Sequence, residues 1–150
     1  MLVPEQLDGI TADWMTAALA PNYPGISVDS VRTIDVIKGA CTKVRLALTT
    51  NQADFPPTVL MKAGFEPHSP QMRGMHVNEY HAYHDLLPTV GINAPLCHAA
   101  IKDDAGRALV ILEDLCLRGV RFLSLQQPIG FDLAKGFLAG LAKLHARWWD

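Results

Sequence analysis

Lys62 and Glu79 are the two residues whose types and positions most directly suggest chemistry. Lys62 lies near the end of an apolar segment, residues 58–63, that has the composition of a short β-strand. Glu79 falls on the apolar stripe of a helix predicted for residues 72–87. A buried cation and a buried anion are each costly alone, whereas a pair offsets much of that cost. Together they predict a strand-to-helix ion pair of the kind that holds nucleotide phosphates in kinase-type folds.

Each of these residues also has a simpler interpretation. Lys62 could lie on the exposed face of an edge strand, and Glu79 could face solvent if the helix were rotated. Gly39 lies in a short turn, residues 38–42, between two predicted strands, where backbone amides could approach phosphate oxygens. A turn with one glycine is also typical of an ordinary hairpin, so Gly39 alone predicts little.

The hydrophobic pattern along the chain predicts the elements that position these residues. A helix is expected to begin after Thr11, which is a favourable N-cap. Strands are expected at residues 31–38, 43–50, 58–63, 94–100 and 108–115, and a connector at 116–130 precedes a last helix at 131–149. The helix at 72–87 should bury one face, comprising Met72, Met75, Glu79, Tyr83 and Leu86. This order predicts an α+β fold with a five-stranded, mostly antiparallel sheet crossed by one helix.

Composition narrows the functional classes. The chain has 150 residues, of which 49% are hydrophobic and 19% charged, and its net charge is −2. These values are ordinary for one globular domain and favour neither nucleic acid nor an anionic membrane as a partner. No apolar run approaches the roughly 20 residues of a membrane span, and the first residues do not resemble a signal peptide. Three cysteines without a CxxC pair, Cys41, Cys97 and Cys116, favour a reduced, cytoplasmic protein.

Histidines offer an alternative kind of site. His76, His81 and His84 are concentrated on the helix that carries Glu79. The segment 76–80 narrowly misses the zinc pattern His-x-x-Glu-His, because Tyr80 occupies the position of the second ligand. A metal-dependent enzyme is therefore a weaker alternative, and exposed histidines are the expectation. His145, on the apolar side of the last helix, is expected to be a hydrogen-bonded packing residue.

Three segments together resemble a known family. They are NEYHAYH at 78–84, LEDL at 112–115 and LAKLHARWWD at 141–150. The chain resembles the aminoglycoside phosphotransferase and choline kinase-like superfamily, in particular its ecdysteroid kinase-like branch. The resemblance extends over nearly the whole chain and depends on the combination of motifs, since no single motif is specific.

The resemblance implies a fold and a set of binding residues. It implies an N-terminal helix and turn at 1–27, a kinase-like N-lobe at 28–115, a connector at 116–130 and the first, truncated C-lobe helix at 131–150. Lys62 would bind the ATP phosphates with Glu79 as its partner, and Gly39 would lie in the loop above them. Backbone groups of Leu112, Glu113 and Leu115 would form the hinge that holds adenine. Members of the family use ATP and Mg²⁺ to phosphorylate hydroxyl groups of small molecules.

The chain also departs from the family. The catalytic His-Gly-Asp loop and the later magnesium-binding aspartate are absent from these residues. No catalytic residue and no metal ligand is therefore assigned, and this chain alone is expected to be inactive because phosphoryl transfer needs both groups. The helix at 131–149 is expected to pack against the missing C-lobe or another chain. The alternative function is a non-catalytic, kinase-like interaction module.

Overall fold

A single five-stranded sheet organises the fold. The computed structural model describes residues 1–120, 122–124 and 126–149. Arg121 and Leu125 of the predicted connector, and Asp150 at the end of the last predicted helix, lie outside the described residues. The strands are β1 (Val28–Ile37), β2 (Thr42–Thr50), β3 (Thr58–Ala63), β4 (Cys97–Lys102) and β5 (Ala108–Glu113). All neighbours are antiparallel in the order β1-β2-β3-β5-β4, which confirms the α+β class and the five-stranded antiparallel sheet.

The strand bounds differ from the prediction at β1, β4 and β5. β4 begins at Cys97 rather than Ala94, because Pro95 has no N–H to contribute to the ladder. β5 ends at Glu113 rather than Leu115, because the Asp114 side chain accepts a hydrogen bond from the amide of Cys116 and starts a 3₁₀ turn, Leu115–Arg118. β1 begins at Val28, three residues before its predicted start, whereas β2 lies within one residue of its predicted bounds and β3 has the predicted bounds.

The helices lie at both ends and in the middle of the chain. They are α1 (Ala12–Leu19), α2 (Arg73–His81), α3 (Leu87–Val90) and α4 (Phe131–Arg147). Thr11 caps α1 as predicted, since its hydroxyl accepts a hydrogen bond from the amide of Trp14 at 3.1 Å. A π-helical turn, Ala82–Leu86, joins α2 to α3. The middle helical segment therefore runs from Arg73 to Val90 and extends past Pro88, where the sequence predicted its end.

The apolar core lies on one face of the sheet, beneath α1. Alternate residues of the central strands point into it, and α1 adds Met15 and Leu19, both fully buried. The core residues of the strands are Val44, Leu46 and Leu48 of β2, Val59, Met61 and Ala63 of β3, and Leu109 and Ile111 of β5. The intervening residues point to the opposite face because side chains alternate along a strand. Lys62 therefore lies on the face away from this core.

The buried face of α2 differs from the predicted one. Met72 and Met75 are 37% and 45% exposed, whereas His76 is only 7% exposed. The prediction that these methionines form the packing face was wrong, as was the expectation that His76 is exposed. The Nε2–H of His76 donates to the carbonyl of Ala40 at 3.0 Å, so this histidine has a partner that compensates its burial.

Gly64 permits the close approach of α2 to the end of β3. A Cβ atom at Gly64 would lie 2.6 Å from Cε1 of His76 and 2.8 Å from Cβ of Ser69. The residue after the lysine strand must therefore lack a side chain if His76 is to be buried here.

A second polar contact ties the N-terminal part of the chain to β4. His98 is buried beside the core, and its Nδ1 is hydrogen-bonded to the Tyr23 hydroxyl at 2.6 Å. The side-chain amide of Asn22 donates to the His98 carbonyl at 2.9 Å. Burial lowers the pKa of His98, which favours its neutral form. A β-bulge between Cys97 and Ala99 turns His98 towards the core side of the sheet.

The last helix, α4, exposes its apolar side chains. Phe131 and Leu138 are 81% and 66% exposed, no residue of this helix is buried, and Trp149, just after the helix, is 78% exposed. His145 is exposed as well, which contradicts the predicted packing role, because nothing in the described part of the chain covers this side of α4. Within the described residues, no helix combines the length and hydropathy needed to cross a bilayer.

We expect Gly64→Ala to destabilise the protein, because the added methyl group must displace His76 or Ser69. Overpacking of this kind costs about 1–3 kcal/mol. Gly74→Ala is the matched control, since a Cβ at this position of α2 meets nothing within 4 Å. That change should leave stability unchanged or raise it by up to about 1 kcal/mol. Urea unfolding followed by circular dichroism measures both, and equal stabilities would contradict the close-contact argument.

Candidate functional site

The structure brings Lys62 and Glu79 together in an ion pair on the face of the sheet opposite the core. Their side chains are 22% and 23% exposed, so both charges are largely removed from water while one side of the pair remains accessible. β3 supplies the lysine, and α2 crosses this face in contact with β5 and β4. The pairing that the sequence predicted is therefore present in the geometry.

Lys43 adds a second positive charge that the sequence reasoning missed. It lies directly across the β2–β3 ladder from Lys62 and hence on the same face. Directly opposed like charges destabilise a sheet unless an anion compensates them. Within the described residues Lys62 is paired with Glu79, whereas Lys43 makes no ion pair. The site therefore has a local surplus of positive charge.

Cys41 lies against the same carboxylate. Its Sγ is 3.9 Å from Oε2 of Glu79 and 3.7 Å from the carbonyl oxygen of Ala63. Burial raises the pKa of the Cys41 thiol, and the negative charge of Glu79 adds to this effect. The thiol therefore stays protonated at neutral pH, and a protonated thiol adds no negative charge to a site with surplus positive charge.

The loop that connects β1 and β2 is held by two histidines. The carbonyl of Gly39 accepts from Nε2 of His68 at 3.2 Å, and the carbonyl of Ala40 accepts from Nε2 of His76. Because a trans peptide points its N–H opposite to its C=O, the amides of Ala40 and Cys41 point away from these imidazoles. A Cβ at Gly39 would meet only the carbonyl of Cys41, at 3.8 Å, so local packing does not require a glycine there.

The predicted hinge residues lie at the end of β5. Leu112 is buried and pairs with Leu60 of β3. The amide of Glu113 donates to the Leu96 carbonyl at 2.8 Å, and its carboxylate accepts from the Leu96 amide and pairs with Arg118. The Leu96 hydrogen bond is the main reason that the pKa of Glu113 is lowered. Leu115 begins the 3₁₀ turn that follows and is half-buried.

Asp114 fastens this end of the sheet, a role that the sequence did not reveal. Its Oδ2 accepts from Nε of Arg45 and from the hydroxyl of Thr58, each at 2.6 Å, and its Oδ1 accepts from the Cys116 amide. The carboxylate thereby joins β2, β3 and the segment after β5. Burial opposes ionisation, but the hydrogen bonds from Thr58, Arg45 and Cys116 outweigh it and lower the pKa of Asp114.

The remaining histidines of this helical segment, His81 and His84, contact the same exposed carboxylate, that of Asp85. Nδ1 of His81 and Nδ1 of His84 each lie 2.6 Å from the carboxylate of Asp85, on the exposed side of the helix. Within residues 1–120, 122–124 and 126–149, no group of three or more His, Cys, Asp or Glu side chains is placed to hold a metal ion. The metal-enzyme alternative gains no support from this geometry.

Comparison of the chain with protein-family models, with curated proteins and with solved structures finds no match. Function must therefore be argued from the site itself. Of the residues that sequence reasoning missed, Lys43 carried a usable signal. If the predicted strands at 43–50 and 58–63 pair as a hairpin, Lys43 at the start of the first strand lies near Lys62 at the end of the second. The roles of His76 and Asp114 depend on long-range contacts, and nothing in the local sequence indicates them.

We expect Asp114→Asn to lower the free energy of unfolding by about 1.5–3 kcal/mol at neutral pH, because the hydrogen bonds to a buried anion are lost. A lowered pKa stabilises the folded state above the ordinary aspartate pKa of about 3.9. This stabilisation disappears as the pH falls from that value through the lower pKa of the folded protein. The difference between wild type and variant should therefore shrink in acid.

Urea unfolding of both proteins from pH 7 down to pH 3 measures this difference. Asp104→Asn, at an exposed turn position, is the control and should change stability little at any pH. A deficit for Asp114→Asn that stayed constant over the whole range would show that the charge of Asp114 does not contribute.

Proposed function

We propose that this chain is the nucleotide-binding part of an ATP-dependent phosphotransferase that acts on a hydroxyl group of a small molecule. The observation that carries the proposal is the pairing of Lys62 with Glu79 on a sheet face where Lys43 adds an unbalanced positive charge. A polyphosphate supplies the negative charge that this arrangement lacks. The kinase-like N-lobe, and the assignment of α4 as the first C-lobe helix, form part of the same proposal.

The proposal gives each residue a distinct role. Lys62 places a point charge against phosphate oxygens, and Glu79 fixes the position of its ammonium group. Lys43 contributes to the same positive field, and the amides at Gly39 and the residues after it act as donors to phosphate. Beside them, the proposed hinge at Leu112, Glu113 and Leu115 offers adenine the carbonyl of Glu113 and the amide of Leu115. The backbone of Leu112 is paired with Leu60, and the carbonyl of Leu115 accepts from the Val120 amide at 3.4 Å. The Glu113 amide is already bonded to Leu96 and is not offered to a ligand.

The proposed reaction needs more than these residues supply. ATP when bound provides the phosphoryl group, and Mg²⁺ would neutralise charge on its phosphates. The described residues fit the phosphates but include no cluster of metal-ligating side chains, so we assign no residue to Mg²⁺. The catalytic base likewise has no candidate here. This chain would bind and orient the nucleotide, and a further segment would carry out the transfer.

We expect Lys62→Met to weaken ATP binding by about tenfold or more, since it removes a charge-assisted contact worth roughly 1.5–3 kcal/mol. Lys43→Met should have a smaller effect in the same direction. Lys102→Met, at the end of the edge strand β4, is the matched control and should bind ATP as the wild type does. Isothermal titration with ATP and Mg²⁺ measures all three, and thermal unfolding checks that each variant is folded.

Two results would contradict the proposal. One is equal ATP affinity of the wild type and Lys62→Met. The other is failure to bind ATP in a version that continues beyond residue 150, where the gene encodes one. The chain of 150 residues should show no phosphoryl transfer to any alcohol.

A second candidate function is a non-catalytic interaction module, favoured by the exposed apolar side of α4. Under this interpretation the chain associates through α4, and Leu138→Glu should convert the associated form to monomer. Sedimentation velocity of wild type and variant tests this. A wild-type chain that is monomeric at all concentrations, and that binds ATP, would exclude the self-associating form of the module.

A further inference from the structure

A groove of about 810 Å³ runs along the outer side of β4, away from the proposed nucleotide site. β4 is the last strand of the sheet, so one of its edges has no strand neighbour among the described residues. One wall comes from α1, with Ala18, and the other from the middle helical segment, with Tyr83 and Leu87. Ala100 and Lys102 of β4 lie between them. The open edge of the sheet is thus set between two helices.

The backbone of β4 presents unused hydrogen-bonding groups to this groove. The amide of Asp103 donates to the Arg107 carbonyl at 3.0 Å, so Asp103 bonds inward to β5. Inward and outward residues alternate along an antiparallel strand, and Ile101 therefore also bonds inward, to Leu109. The N–H and C=O groups of Ala100 and Lys102 consequently point to the open edge. An extended chain supplies the complementary row of donors and acceptors.

One outward backbone group of β4, the carbonyl of His98, already has a hydrogen-bond partner. This carbonyl lies on the same outward row and accepts a hydrogen bond from the Asn22 side chain. One outward position is thereby satisfied from within the chain, and the next two along the strand remain. An unpaired strand edge of this kind is a template for pairing with another extended segment.

The residues that line the groove indicate which side chains a bound extended segment should have. Among the described residues that line it, apolar side chains predominate, aspartate and glutamate are absent, and Lys102 is the only lysine or arginine. The ammonium of Lys102 lies 5.5 Å from the centre of the Tyr80 ring and makes no ion pair within residues 1–120, 122–124 and 126–149. A partner with small apolar side chains at alternate positions and one carboxylate near Lys102 matches this surface.

A single peptide strand suits the groove better than a second copy of the chain. Helices flank the edge on both sides, and a second β4 would bring its own two flanking helices, so both sets would have to fit around the same pair of strands. A lone extended segment brings no such walls. We propose that β4 binds an extended, mainly apolar peptide segment of a partner protein as an added antiparallel strand, with an acidic residue of that segment opposite Lys102.

The test uses the full chain and the blocked peptide acetyl-Thr-Val-Thr-Val-Glu-Val-Thr-amide. Two N-methylated forms carry their methyl groups on alternate amides, so that one form blocks the amides facing β4 and the other blocks those facing away. We expect one form to lose at least about tenfold in affinity and the other to bind like the parent, because only one row donates to β4. Titration calorimetry measures all three affinities.

Two variants locate the site on the protein. Ala100→Pro removes an outward N–H without touching the bonds to β5, and it should weaken binding about tenfold. Lys102→Glu should weaken binding of the glutamate peptide and restore binding of a peptide with lysine in its place. If Ala100→Pro does not fold, the N-methylated pair and the charge exchange still decide the question.

Several outcomes would overturn the proposal. They are no saturable binding of the parent peptide, equal loss with both N-methylated forms, and affinity unchanged by Lys102→Glu. A chain that dimerises and becomes monomeric in Ala100→Pro would show instead that the edge is occupied by a second copy. None of these results depends on ATP binding, so the nucleotide proposal and this one can fail independently.

Discussion

The ion pair between Lys62 and Glu79 is the contact on which the placement of α2 depends. The inward face of this helix is polar, and a polar face packs against a sheet only if the sheet supplies partners. Lys62 supplies one for Glu79, and the carbonyl of Ala40 supplies another for His76. On the opposite face, α1 packs mainly by apolar contact through Met15 and Leu19, and its Thr16 hydroxyl accepts one hydrogen bond from the Val28 amide of β1. The two sides of the sheet are thus covered by different physical means.

Polar packing of this kind fixes the orientation of α2 but contributes little to the stability of the folded protein. A partly buried ion pair gives back much of its Coulombic gain as desolvation cost, so its net contribution to stability is small. Hydrogen bonds are directional, however, and a helix held by them cannot rotate without losing them. The surplus charge of Lys43 fits the same view, because opposed lysines cost stability in the absence of an anion. This cost is consistent with the proposal that the face binds an anionic ligand.

The sequence predicted the strands well because alternation and turn residues are local signals. β3 and the capping of α1 by Thr11 were correct for that reason. The predicted face of the middle helical segment was correct for Glu79, which is largely buried, but wrong for Met75, because the helix turns His76 rather than Met75 inward. Only some residues of the site could be predicted from the sequence. Lys62 and Glu79 stand out as charges within apolar patterns, but Asp114 becomes important only when Arg45 and Thr58, distant in sequence, meet it in the fold.

His76 and Glu79 are three residues apart, about 4.5 Å along one helix axis. One holds the loop between β1 and β2 and the other holds Lys62, so both attachments share a single rigid support. The loop and the lysine partner therefore cannot shift independently. If α2 slides or tilts, the loop must move together with the Glu79 carboxylate, or else the contact of His76 or that of Glu79 breaks. The position of α2 accordingly sets the shape of the space between the β1–β2 loop and Lys62. A movement of this one helix would widen or narrow that space.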